Sequence, residues 1–257
     1  MFSGSFSPSA TIPRMTRYTL LLAATLLAAQ VAAPEVEIIA EPNHHLALEN
    51  KSVRVFNVNV SPHSETLMHW HRHDYFAVNL GAAEVDNAVK DKPPVTVKLQ
   101  DGQTTFASAT FAHIARNLSN QPFRNVTIEI LKDDTLRHAT SPWTSKKAAE
   151  QNAAEQDEDR ALLTFPGATQ QILFVKDAIR ASEFELQPAA TVPMPHPAGA
   201  HLLIAVTDLA LHSALDGESP GPVHLKSGEV TWVPDTLPYT LTNSGFKPAK
   251  FVILEFP

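Results

Sequence analysis

Apolar and polar residues alternate along 53–60 (VRVFNVNV), 95–99 (VTVKL), 126–131 (VTIEIL) and 179–186 (IRASEFEL). A period of two sends successive side chains to opposite faces of an extended chain, so each stretch is expected to be a half-buried β-strand. Pro, Gly, Asn and Asp punctuate the intervals at short spacing, and no helical periodicity of useful length intervenes. Many short strands within about ninety residues favour a closed barrel or sandwich over a parallel sheet.

This strand pattern occurs twice. Displacing the sequence by 126 residues superposes two halves without a gap. Val53-Arg54 falls on Ile179-Arg180, Pro62 on Pro188, Met68 on Met194, Gly102 on Gly228, Phe106 on Trp232 and Asn117 on Asn243. Turn and core residues that recur at one offset mark two copies of one unit. The boundaries follow: a first barrel over 41–133, a linker over 134–166 and a second barrel over 167–257. Within the linker, 145–161 (SKKAAEQNAAEQDEDRA) is rich in Ala, Glu, Gln and Lys and carries no apolar stripe, so it is expected to be solvated and partly helical.

Composition narrows the class. The chain has 257 residues, 44% hydrophobic and 18% charged, enough for two modest domains with their own cores. A formal charge of −7, with no Lys/Arg block, offers nothing to neutralise a phosphate backbone, so nucleic acid is not an expected partner. Arg14 and Arg17 precede an apolar run from Leu20 to Ala29, followed by small residues through Ala33. That order is the order of a secretory signal peptide, here assigned to 1–33, and the apolar run is too short to span a bilayer. Met15 would give the more usual signal length. The mature chain is then expected to begin between Gln30 and Glu35, to be periplasmic or secreted, and to carry no stable membrane anchor. It has no cysteine, so its core must be stable without disulfides.

Candidate chemistry is concentrated in the first half. His44, His45, His63, His69, His71, His73 and His113 all lie there, and their counterparts are Gln170, Gln171, Ala189, Pro195, Pro197, Gly199 and Tyr239. Histidines that served folding would be wanted by the twin as well. On a strand, His69 and His71 share a face, and a third imidazole from a distant strand, such as His113, together with one oxygen ligand would make a usual site for a divalent ion (Fe, Mn, Zn or Ni). His73 continues the alternation beyond a turn near Arg72. His44 and His45 either line the mouth of the site or sit on a strand edge, and His201 of the second half reads as structural.

These residues resemble the two short motifs of the cupin superfamily, small β-barrels that hold a metal between them. Gly102, Ser108, Thr110, His113 and Asn117 stand at the spacing of the second motif, with Ser and Thr in place of its Pro and Gly. Gly228, Pro234, Thr236, Tyr239 and Asn243 repeat that spacing with Tyr in place of the metal His. His69 and His71 match the start of the first motif, whose acidic ligand is a Glu that this window lacks. Asp74, counted back from Gly81, is the chosen fourth ligand, since a carboxylate binds divalent cations more readily than the neutral phenol of Tyr75. Three histidines completed by water are the alternative. The resemblance covers nearly all of the mature chain and implies an all-β bicupin: two jelly-roll barrels in tandem, the N-terminal one metal-competent and the C-terminal one degenerate.

Two classes of function follow from a bound divalent metal ion. An enzyme, such as a small-molecule oxygenase or isomerase, would use open positions on the ion, with Tyr75, Trp70 or His73 as wall or proton source. A non-catalytic module would bind the metal or a small ligand alone, and a dimerisation platform would bind neither. Exposed sheet edges make a homodimer a further expectation.

Overall fold

The computed structural model describes residues 34–131, 162–176, 179–194, 199–215, 221–234 and 238–256. The signal peptide expected over 1–33 and most of the linker lie outside the described residues. Residues 33–257 form one unit.

Ten strands build the first barrel. They are β1 (Val36–Glu37), β2 (His44–Glu49), β3 (Val53–Val60), β4 (His69–His71), β5 (Tyr75–Leu80), β6 (Ala83–Val89), β7 (Val95–Leu99), β8 (Thr104–Ala107), β9 (Phe111–Asn117) and β10 (Phe123–Ile130). One sheet runs β1-β4-β9-β6-β7 and faces a second ordered β2-β3-β10-β5-β8. This barrel starts earlier than residue 41, because Val36 and Glu37 pair in parallel with His69 and Trp70.

The second barrel repeats the plan with β11 (Leu162–Phe165), β12 (Ala168–Lys176), β13 (Ile179–Leu186), β14 (Thr191–Met194), β15 (His201–Ala205), β16 (Leu209–Leu215), β17 (Gly221–Leu225), β18 (Val230–Val233), β19 (Tyr239–Asn243) and β20 (Ala249–Glu255). Its sheets run β11-β12-β13-β20-β15-β18 and β14-β19-β16-β17. Residues 162–165, placed in the linker by composition, instead form the edge strand β11 against β12.

The 126-residue offset holds down to single hydrogen bonds. Asn117 donates from Nδ2 to the carbonyls of Val60 and Gln121, and Asn243 does the same to those of Leu186 and Lys247. Both side chains accept a backbone N–H two residues on, from Ser119 and Gly245. Left-handed backbone recurs at His63 and Ala189 and at Gly102 and Gly228.

The two barrels pack on each other through one continuous apolar seam. Val53, Val55, Phe76, Val78, Leu80, Val126, Ile128 and Ile130 meet Ile179, Ala181, Leu202, Ile204, Val206, Val252, Leu254 and Phe256. Every residue of the first group has its +126 counterpart in the second, so the contact is isologous, like that of a two-fold dimer. Its ends close reciprocally as well. Arg124 Nη2 donates to the carbonyl of Ser227, and Lys250 Nζ to that of Asp101. A Cβ on Gly102 would meet the flexible ends of Glu183 and Lys250, and one on Gly228 would stand 3.0 Å from Leu80, so both turns lie against the other barrel, while it is their positive φ that calls for glycine.

Candidate metal centre

Antiparallel pairing of β4 with β9 sets His69 directly opposite His113, and His71 lies two residues along on the same face. The ligand nitrogens of these three lie within 4.8 Å of one another. Alternation turns Trp70 to the opposite face, where its Nε1 donates to Glu35 and the Arg72 guanidinium lies 4.2 Å over its ring. Trp70 therefore fastens the first strand to β4 from outside and takes no part in the site.

Neighbours fix the rings. His69 Nδ1 is 2.9 Å from the carbonyl of Leu67, so it must carry the hydrogen and leave the lone pair on Nε2. Likewise His113 Nδ1 donates to Asn87 Oδ1 at 2.6 Å, leaving its Nε2 as the acceptor. That Nε2 is 3.1 Å from His71 Nε2. Nitrogens bound at about 2.1 Å to one ion and roughly perpendicular to each other stand about 3 Å apart. His69 Nε2 and His71 Nδ1 are buried with no partner. A buried lone pair left unmatched costs about 1–3 kcal/mol, and a cation among the three nitrogens removes that cost at His69. The residues fit a divalent metal.

Electrostatics agree. Burial, followed by the charge of His44, pushes His69 down to about 4. Burial and then His69 push His113 down to about 3, and His71 is lowered further by burial and by His113. All three are neutral ligands at neutral pH, the form that a metal requires.

Asp74 is not brought to this group. Its Oδ1 accepts the backbone N–H of Ala109 at 2.7 Å, and so staples the 108–110 turn in front of β9. Thr110, at the motif's glycine position, donates its N–H to the carbonyl of His71 and holds a left-handed φ of 75°. Tyr75 does reach the site, its ring stacked on His71 at 4.1 Å, and burial pushes its hydroxyl up to about 12, so it stays protonated. His73 lies half-buried outside the group, and His45 is exposed.

Pattern reading missed Glu41. This carboxylate is 1% exposed and accepts from Asn43 N–H, Asn43 Nδ2, the backbone N–H of Leu67 and His44 Nδ1. Burial opposes its charge, but these bonds and the charge of His44 outweigh that and hold it near 2. The His44 ring, thus anchored, lies 4.7 Å from that of His69 and lines the site. No spacing rule finds Glu41, because its partners are joined to it only by the fold.

A cavity of about 470 Å³ opens from the three histidines into the first barrel. Among the described residues of the second barrel, the matching interior at Leu203, Tyr239 and Leu241 holds a cavity of about 130 Å³. There Val192, Leu203, Tyr239, Leu241, Phe251 and Ile253 pack together in place of Thr66, Ala77, His113, Ala115, Asn125 and Thr127.

No family model matches the sequence, and no curated protein sequence matches it. Solved structures do. The fold superposes on Lactobacillus farciminis oxalate decarboxylase in its formate complex with a TM-score of 0.56 over 81% of this chain and 78% of that one, at 15% identity. This is the bicupin fold. A variant of Bacillus subtilis oxalate decarboxylase gives 0.55 over 83% and 75% at 14% identity. Salicylate 1,2-dioxygenase from Pseudoaminobacter salicylatoxidans, with bound gentisate, gives 0.51 over 80% and 68% at 14% identity. Within this fold the histidine set belongs to the N-terminal barrel, while the C-terminal barrel keeps the frame and places Tyr239 and apolar side chains at the matching positions.

Proposed function

We propose that this bicupin is a metal-dependent enzyme of oxygenase type, acting on a small organic molecule in its N-terminal barrel, and that it works in the periplasm or outside the cell. The observation that carries the reading is the pairing of a three-imidazole group, with no carboxylate in it, and a 470 Å³ cavity that begins at that group. Three protein ligands leave positions for water and substrate, which distinguishes catalytic from closed structural sites. His69, His71 and His113 would hold the ion, which supplies a Lewis acid able to polarise a bound substrate or activate a small co-substrate. The carbonyl of Leu67 and the amide of Asn87 keep two of the rings in the ligating tautomer. Val58, Val85 and Phe123 limit water in the cavity, and Tyr75 presents a hydroxyl that keeps its proton. Structural neighbours include a dioxygenase and decarboxylases, which supports chemistry of this kind on such a frame. Export rests on Arg14, Arg17 and the apolar run after them.

Elemental analysis of the purified protein beside a His69→Ala/His71→Ala/His113→Ala variant tests the site. Near-stoichiometric metal in the wild type alone is expected, and equal content in both overturns the reading. Water-proton relaxation of the Mn(II)-loaded protein tests openness: fast-exchanging water is expected, and its absence would make this a closed binding module.

A further inference from the structure

The far end of the cavity carries polar groups that the metal does not account for, among them Thr127, whose hydroxyl donates to Asn125 Oδ1 at 2.8 Å, and one acceptor that no group in the fold satisfies. Asn79 and Asn125 face each other across β5 and β10, and Thr127 lies two residues nearer the histidines, opposite Ala77. All three polar residues are buried and line the cavity. The Asn79 amide is oriented unambiguously, because its Nδ2 donates to the carbonyls of Gly81 and Gln100. Its Oδ1 is then left buried with no partner, although the residue is only 3% exposed. An orphaned buried acceptor in a cavity wall calls for an explanation.

The twin barrel shows what the frame itself requires. At the counterparts of Asn79, Asn125 and Thr127 it has Ala205, Phe251 and Ile253, all buried, and it forms the same strands. Folding therefore does not demand the three polar side chains. They occur in the half that has the histidines and the cavity.

From Tyr75 beside the histidines to Asn79 is four residues along β5, about 13 Å at the rise of an extended strand. Between these ends, among the described residues, the cavity presents no Asp or Glu. Among the described residues its one Lys or Arg is Lys98, whose side chain is 82% exposed at the rim. A second charge on the ligand would be buried there unpaired, which is costly.

We propose that the cavity takes an elongated molecule that ligates the metal at one end and is uncharged at the other, where an N–H or O–H donates to Asn79 Oδ1. This specificity rests on the metal reading above, with Asn79 as the residue that reads the distal group. A dianionic ligand of similar length is excluded by the same wall.

The test uses the metal-loaded protein and three alkyl hydroxamates of equal chain length, ending in a primary amide, a methyl or a carboxylate. Titration calorimetry should rank them amide, methyl, carboxylate, with the amide preferred to the methyl roughly tenfold, as expected for filling one buried acceptor. Asn79→Ala, which copies the twin barrel, should abolish that preference and keep its metal. Equal affinity of the amide and methyl probes for the wild type, tightest binding of the carboxylate, or an undiminished preference in Asn79→Ala each overturns the proposal. If the variant does not fold, the wild-type ranking still decides. Failure of the metal reading looks different, since then the protein carries no stoichiometric metal and all three probes bind equally with and without added ion, which also overturns the proposal.

Discussion

His201 and Tyr239 share a buried 2.6 Å hydrogen bond, and they are Tyr75 and His113 with their places exchanged. The second barrel thus keeps one imidazole and one phenol at this level but joins them to each other. With Pro195 and Pro197 at the counterparts of His69 and His71, no further imidazole joins them from those positions.

Tyr239→Phe should leave metal stoichiometry unchanged. It strips His201 Nε2 of its partner, and with Nδ1 already unpartnered the cost is about 1–3 kcal/mol of stability. Elemental analysis and thermal melts check both halves of this expectation, and a loss of metal would place the site in the second barrel instead of the first.

Glu41→Gln should weaken metal binding without touching a ligand. The amide replaces an acceptor with a donor against Asn43, Leu67 and His44, and Leu67 carries the carbonyl that orients His69. A fall in metal affinity of about 10–100-fold is expected, as for other outer partners of metal ligands. Competition with a chelator measures it. Stability should drop on the order of 3 kcal/mol.

Asp74→Asn separates a ligand from a staple. Loss of the charged acceptor for Ala109 should cost about 1 kcal/mol in denaturant melts, with metal content unchanged. Depleted metal in a folded variant would restore Asp74 to the ligand set.

The metal-free protein should lose stability as pH falls from 7 towards 4. Unfolded histidine takes up a proton near 6.5, whereas folded His69 does so only near 4, so the unfolded state binds more protons across that window. For His69 alone the difference is on the order of 3 kcal/mol. The contribution is read as wild type minus His69→Gln in melts at stepped pH, and saturating metal should flatten it down to about pH 5. Glu41 acts in the same direction at lower pH, since its stabilising charge is present above its usual 4.5 and is lost as pH falls towards 2.

Glu129 has the opposite sign. It is 1% exposed, burial pushes it up to about 7 against the attraction of Arg54, and its Oε1 has no partner. Unfolding lets it ionise at its ordinary value, so it destabilises the fold as pH rises from 4.5 through 7. Glu129→Gln should therefore be more stable than the wild type by about 1–3 kcal/mol at pH 8 and equal to it below about pH 4. In the second barrel Arg180 grips Glu255 with both Nε and Nη2, and Glu255→Gln should show no such gain.

Much of this was legible in the sequence because a repeat compares a protein with itself. Alternation announced the strands, the 126-residue offset announced two barrels, and loss of imidazoles from one copy singled out His69, His71 and His113. Asp74 is chosen by spacing, which counts residues, whereas in the structure the turn after His71 directs its Oδ1 to the backbone N–H of Ala109. Glu41, Asn87 and the lone acceptor on Asn79 left no trace in the pattern, since each acts through partners brought near only by the closing of the barrel. The seam was equally hidden: its residues read as the buried half of each alternation, and alternation does not tell a barrel interior from a contact between barrels.

That seam has a genetic consequence. A homodimer with such an interface carries each substitution in both subunits, so filling one cavity fills the other. Here each half has its own codons, and Phe251 and Ile253 can occupy one barrel while Asn125 and Thr127 line the other. The filled barrel offers a rigid wall for β5 and β10 to lean on. One half of the gene is free to reshape its cavity because the other half has become its scaffold.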